Sequence, residues 1–182
     1  DAMVRTLTNA FESGRIAQAY MLTGVRGVGK TTTARILARA LNYDREGVDG
    51  PTIDMGEPGV HCEAIMESRH VDVLEMDAAS HTGIDDIREI IESARYKPVS
   101  ARMKVYIIDE VHMLSKAAFN GLLKTLEEPP EHVRFIFATT EVRKVPVTVL
   151  SRCLRFAFRR VEVEQLSDHL GRIAENEGAP IN

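Results

Sequence analysis

The sequence predicts an α/β domain, a five-stranded parallel sheet with helices on both faces in a three-layer α/β/α sandwich. Two observations predict it. Short apolar runs of strand length alternate with segments whose apolar residues recur at helical spacing. Between the first strand and the next helix lies Gly24-Val25-Arg26-Gly27-Val28-Gly29-Lys30-Thr31, a glycine loop of the form G-x-x-x-x-G-K-[ST]. Strand, glycine loop and helix in that order set a helix N-terminus against the loop, where an anion is favoured.

The elements follow in order. Val4, Leu7, Ala10 and Phe11 mark an amphipathic helix near the start. Ala19–Thr23 reads as the first strand, and Lys30–Leu41 as a helix with Ala34, Leu37, Ala38 and Leu41 on one side. Residues 42–68 interrupt this regularity. Asp44 to Gly59 holds Gly47, Gly50, Pro51, Gly56 and Pro58 without periodicity, as an inserted loop or small module would. Strands are expected at Val71–Met76, Lys104–Ile108, Arg134–Ala138 and Leu154–Phe158. Helices are expected at Ile84–Tyr96, with Ile84, Ile87, Ile90, Ile91 and Ala94 aligned, and at Lys116–Leu126, stopped by Pro129-Pro130. A short helix is expected near Pro146–Leu150. A last one, roughly Glu162–Asn176, follows the final strand and begins a second, helical domain. The expected division is therefore 1–158 and 159–182, and both ends read as cuts through a longer protein.

The chain has 182 residues, 44% hydrophobic and 27% charged, the balance of a globular α/β domain. A net charge of −4 argues against a dedicated nucleic-acid-binding domain, so contact with nucleic acid must come from a local patch or from partner subunits. No apolar run approaches the ~20 residues that cross a bilayer, and no membrane partner is expected. Cys62 and Cys153 offer no disulfide framework and suit a reducing, cytoplasmic location.

The glycine loop carries the clearest chemistry. Its glycines let the backbone curl so that N–H groups point inward at a triphosphate. Lys30 then reaches the β- and γ-phosphates, and the Thr31 hydroxyl ligates Mg²⁺. Gly24, Val25, Arg26, Gly27, Val28, Gly29 and Thr32 complete the expected nucleotide-binding set with Lys30 and Thr31. Val105 to Ile108 is an apolar strand ending in Asp109-Glu110. By themselves these acids read equally well as a surface turn. Beside a phosphate loop, Asp109 holds Mg²⁺, directly or through water, and Glu110 orients the attacking water. The strand Phe135–Ala138 runs into Thr139-Thr140. A threonine there serves either strand propensity or a hydrogen bond to the γ-phosphate or water. Arg152, between the short helix and the last strand, is either a snorkelling helix-end residue or a finger aimed at a phosphate.

Together these segments resemble the AAA+ ATPases, P-loop NTPases, and within them the clamp-loader branch, nearest the γ/τ subunits of bacterial DNA polymerase III. The resemblance rests on Thr23–Thr31 (TGVRGVGKT), Met76–Ser80 (MDAAS), Lys104–Leu114 (KVYIIDEVHML), Leu122–Pro130 (LLKTLEEPP), Phe137–Thr140 (FATT) and Ser151–Cys153 (SRC). The phosphate loop is shared by very many ATPases, whereas DEVHML, LLKTLEEPP and SRC in that order are far more specific. The resemblance implies that Asp109 and Glu110 are the Walker B acids and Thr140 the sensor 1 residue. It makes Arg152 a finger that reaches ATP on the neighbouring subunit. The implied work is ATP-gated loading of a ring-shaped sliding clamp onto primed DNA. The implied assembly is a hetero-pentameric ring with δ, δ′ and further γ/τ copies, and the residues after 158 would start its helical lid.

Two departures stand out. Relatives often carry a four-cysteine zinc module after the first nucleotide-binding helix, but here Cys62 has Gly59, Gly56 and Tyr43 where partners would stand. One thiolate does not build a tetrahedral site, so no zinc is expected. The loop at Ala78–Gly83, DNA-facing in relatives and often basic there, has His81 and Gly83, with Arg88 one turn on. A helix N-terminus beginning near Ile84 is the remaining phosphate contact. The resemblance also puts adenine-binding and lid residues beyond Asp1 and Asn182, so these residues alone are expected to bind nucleotide weakly. The competing readings are a non-hydrolysing scaffold subunit of the same ring and another AAA+ remodeller, such as a replication factor C small subunit or a Holliday-junction helicase motor.

Overall fold

The computed structural model describes residues 2–14, 16–25, 29–43, 50–51, 59, 61–67, 69–80 and 83–158. Element order is α1 (Ala2–Glu12), β1 (Ala19–Thr23), α2 (Lys30–Leu41), α3 (Cys62–Met66), β2 (Val73–Asp77), α4 (Ile84–Ala94), β3 (Lys104–Asp109), α5 (Lys116–Glu127), β4 (Val133–Thr139), α6 (Val147–Leu150) and β5 (Leu154–Ala157). One-turn 3-10 helices follow β3 at Val111–Met113 and β4 at Val142–Lys144. The five strands form one sheet in the order β2-β3-β4-β1-β5, every pair parallel.

Burial follows position in that order. Every residue of β1 and β4 is buried, and β3 is buried until its last residue. Continuous apolar runs are what a sheet covered on both faces requires. The edge strands β2 and β5 expose several positions each. Alternate side chains feed two cores. Tyr20, Leu22, Val105, Ile107, Ile136 and Ala138 pack with α1, α2 and α3. Ala19, Met21, Tyr106, Ile108, Phe135 and Phe137 pack with α4, α5 and α6. The fold class is thus the expected three-layer sandwich.

Local chemistry sets the boundaries. Ser115 caps α5, its hydroxyl accepting the Ala118 N–H at 3.1 Å, a contact worth about 1 kcal/mol. The strand expected at Val71–Met76 occupies Val73–Asp77. Asp72 has another task, accepting the N–H groups of Val99, Ser100 and Ala101, each at 2.7 Å. The helix expected to reach Tyr96 ends at Ala94. Pro98 disfavours helical backbone at Lys97, and the chain closes in two turns, Arg95 N–H to Glu92 O and Tyr96 N–H to Ser93 O. Helix α3 was not expected within the irregular 42–68 stretch. It is too short to show a period, and it packs Cys62 and Ile65 into the core beneath α2. The helix expected at 162–176 lies outside the described residues.

Candidate active site

The site forms at the C-terminal edge of the sheet, where β1 and β3 run out into loops. Gly29, Lys30, Thr31, Thr32, Asp77, Asp109 and Glu110 line a cavity of about 340 Å³ there. Gly29 holds the corner. Its φ of 84° is left-handed, and it caps α2, its carbonyl accepting the Thr33 N–H at 2.9 Å. Any side chain there would cost roughly 1–2 kcal/mol of backbone strain, so the last glycine of the motif is dictated by the turn.

Lys30 opens α2 and is buried. Its Nζ donates to the carbonyls of Gly24 at 2.8 Å and Val25 at 2.9 Å, so the ammonium spans the base of the loop. The Gly24 N–H donates to Thr139 O at 3.3 Å, tying the loop entrance to the end of β4. Arg26, Gly27 and Val28 lie outside the described residues.

The Thr31 hydroxyl donates to Asp109 Oδ2 at 3.1 Å. A hydroxyl and a carboxylate are hard oxygen donors of the kind Mg²⁺ takes, and here the fold joins them across 78 residues of sequence. Asp77 stands in register with Asp109 on the adjacent strand, a third carboxylate on the cleft. Sequence reasoning did not assign it a role; the available signal was the polar end of the MDAAS segment.

Glu110 takes φ 51° and ψ 44°, the one positive φ outside glycine among the described residues. Such a conformation costs roughly 1–3 kcal/mol and gathers at functional sites. Its N–H donates to Asp109 Oδ1 at 2.9 Å, and its Oε2 accepts the Thr140 hydroxyl at 3.1 Å. Behind it stands His112, with Glu141 on the far side. Both were missed from sequence; the histidine two residues past the acids, on the same strand exit, was the readable signal.

The structure therefore brings Lys30, Thr31, Thr32, Asp109, Glu110 and Thr140 to one place. It does not bring Arg152 there. Arg152 follows α6, is about half exposed, and lies 3.6 Å from Glu127. At the start of α4, Asp85 and Asp86 occupy the first turn, and the exposed Arg88 reaches Asp85 at 3.4 Å. These carboxylates already complement the helix dipole, so this N-terminus is a poor phosphate site; His81 lies outside the described residues.

A family model described as "DNA polymerase III, delta subunit" matches residues 1–162. The chain belongs to this family of DNA polymerase III subunits. Curated relatives carry a different subunit name. The Haemophilus influenzae "DNA polymerase III subunit tau/gamma" is 47% identical over 98% of this chain and 25% of its own length. The Escherichia coli "DNA polymerase III subunit tau" is 47% identical over 96% of this chain and 27% of its own, and the Bacillus subtilis tau subunit is 45% identical over 96% and 30%. The chain thus spans about a quarter to a third of the length of these three relatives. Among solved structures, a DNA polymerase III gamma-subunit-related protein of Thermotoga maritima superposes with TM-score 0.61 at 21% identity, over 96% of this chain and 54% of that one. The Thermotoga maritima RuvB Holliday junction branch migration motor superposes at 0.53 and 20%, over 96% and 50%. At those identities the structures establish the fold alone. Among the described residues no helix is long and apolar enough to cross a membrane.

Proposed function

We propose that this chain is the ATP-hydrolysing AAA+ region of a γ/τ-type clamp-loader subunit. In this reading it works in the cytoplasm, in a hetero-pentameric ring with δ, δ′ and further γ/τ copies, and loads a sliding clamp onto primed DNA. Residues 1–158 form the nucleotide-binding domain, with the irregular 42–68 insert, and 159–182 begin the lid. The contact that carries the reading is Thr31 Oγ1 to Asp109 Oδ2, which joins the two halves of a Mg²⁺–triphosphate site.

The roles follow from the chemistry of each group. The loop backbone from Gly24 to Thr32 cradles the phosphates, and Lys30 turns its ammonium from the Gly24 and Val25 carbonyls to the β- and γ-phosphates. Thr31 and Asp109 would hold Mg²⁺, which when bound neutralises charge on the phosphate oxygens. Glu110 orients and polarises the attacking water. Thr140, bonded to the Glu110 carboxylate, responds to the γ-phosphate. Arg152 acts on the ATP of a neighbouring subunit.

The intact set of Lys30, Thr31, Asp109 and Glu110 on one cleft weighs against a non-hydrolysing scaffold. Likeness to the RuvB motor is one of fold, and the 45–47% identity to tau and tau/gamma subunits favours the clamp-loader branch. The test is ATP turnover and clamp loading by the complete protein with its partners, compared with Lys30→Ala. Loss of both in the variant is expected. Wild-type ATP affinity and loading in Lys30→Ala would overturn the phosphate-loop reading.

A further inference from the structure

His112 sits on the 3-10 turn that follows Glu110, with its side chain 3% exposed. Both ring nitrogens are engaged. Nδ1 lies 2.8 Å from Thr139 Oγ1. Nε2 lies 3.5 Å from Glu110 Oε2 and 3.3 Å from Glu141 Oε2. Thr139 is fully buried, and its Oγ1 also accepts the Glu141 N–H at 3.0 Å. The charged groups around the ring are thus Glu110 and Glu141, with Lys144 beyond, paired to Glu141 at 3.1 Å.

The groups facing Nε2 fix its proton. Carboxylate oxygens offer only lone pairs, and a bare Nε2 would turn a third lone pair toward two of them. Nε2 therefore carries hydrogen. The ring is either the neutral Nε2–H tautomer, with Nδ1 accepting the Thr139 hydroxyl proton, or an imidazolium. An N–H there is attracted to both carboxylates, at 3.5 and 3.3 Å, distances longer than those of a well-formed hydrogen bond. Glu110 Oε2 accepts the Thr140 hydroxyl at 3.1 Å and lies 3.5 Å from this ring edge. Among the described residues, Glu110 Oε1 takes no hydrogen bond.

We propose that His112 is a positioning residue for Glu110. Its Nε2–H, with the Thr140 hydroxyl, holds the carboxylate by Oε2 and leaves Oε1 as the oxygen that meets water. Glu141 competes for the same proton, so the segment after β4 sets how firmly Glu110 is held. This rests on the proposed water-orienting role of Glu110.

The test uses the complete protein in its assembly, with His112→Gln, His112→Asn and His112→Ala beside Glu110→Gln. A glutamine amide reaches the place of Nε2; an asparagine amide reaches only that of Nδ1. His112→Asn and His112→Ala should lower kcat ~10- to 100-fold, with KM and nucleotide affinity near wild type. Tm should stay near wild type in His112→Asn, whose amide still reaches Thr139, and fall in His112→Ala, which leaves a buried cavity. His112→Gln should recover most of the turnover. In nucleotide-free, selectively ¹⁵N-histidine-labelled protein, the ring should carry its proton on Nε2. Wild-type kcat in His112→Asn, a His112→Gln as slow as His112→Asn, equal losses of kcat and affinity, or a neutral ring protonated at Nδ1 would each overturn the proposal while the ATPase reading stands. Wild-type turnover in Glu110→Gln would instead remove the role of Glu110, and this proposal with it.

Discussion

Replacing Arg152 with alanine is expected to separate stability from turnover. Among the described residues the guanidinium makes one ion pair, with Glu127 at 3.6 Å, and the two side chains are 42% and 48% exposed. A pair so exposed to solvent contributes about 0–1 kcal/mol. The Arg152 N–H bond to Val149 O survives the substitution, so the isolated subunit should unfold almost as wild type does. Arg152 is also absent from the residues lining the cleft of Lys30, Thr31 and Glu110, so nucleotide affinity of the isolated subunit should stay. Across a ring interface the expected loss is large. An arginine that meets the γ-phosphate as the bond breaks is worth ~10³-fold or more in rate, about 4 kcal/mol at the barrier. The assay mixes Arg152→Ala subunits with Lys30→Ala subunits and measures ATP turnover after co-assembly is verified. A mixed ring contains interfaces that pair an intact loop with an intact arginine, and activity should partly return. A mixture no faster than the two variants assayed separately would refute the trans assignment. So would a loss of nucleotide affinity in isolated Arg152→Ala.

Glu110→Gln should retain ATP binding and cut hydrolysis strongly, because an amide is a far weaker base toward water; a mere twofold drop in single-turnover rate would count against it. Asp72→Asn should destabilise the domain by about 2–4 kcal/mol in denaturant titration, since an amide cannot accept the N–H groups of Val99, Ser100 and Ala101 together. Burial alone would raise the Asp72 pKa, but those N–H bonds and the Ser100 hydroxyl outweigh it and hold it below the ordinary 3.8. The sign is fixed by that direction: the stabilisation is complete above about 3.8, is lost as pH falls through the lower folded value, and should be missing from the acid limb of Asp72→Asn. Metal analysis should find no zinc bound at Cys62, which packs in the same apolar core as Tyr43.

What was legible in the sequence was whatever depends on local pattern. Lys30–Leu41 and Ala19–Thr23 appear with the expected bounds because a glycine loop and a continuous buried run punctuate them sharply. Thr31, Asp109 and Glu110 could be named because their residue types sit at motif spacing. What the pattern hid depends on contacts across the sheet. The strand order is not encoded in the order of elements. The start of β2 moved because Asp72 anchors a loop 27 to 29 residues away. The left-handed Glu110 carries no glycine to announce it, and His112 gains meaning only once β4 brings Thr139 and Glu141 beside it.

Asn42 and Arg102 give the site a property of their own. Just past α2, the Asn42 side chain donates to Met103 O at 2.9 Å and accepts the Met103 N–H at 2.8 Å. Arg102 donates to Leu41 O and Tyr43 O, both at 2.9 Å. This staple fastens the far end of α2 to the foot of β3. A twelve-residue helix is about 18 Å long and a six-residue strand about 20 Å, so two rods of matched length are pinned at one end and meet at the other through Thr31 and Asp109. The spacing of those two oxygens is thereby set on the near side of Tyr43. Chain between Tyr43 and α3 can lengthen or shorten without moving the hydroxyl from the carboxylate, which leaves that stretch free to diverge while the cleft keeps its gauge.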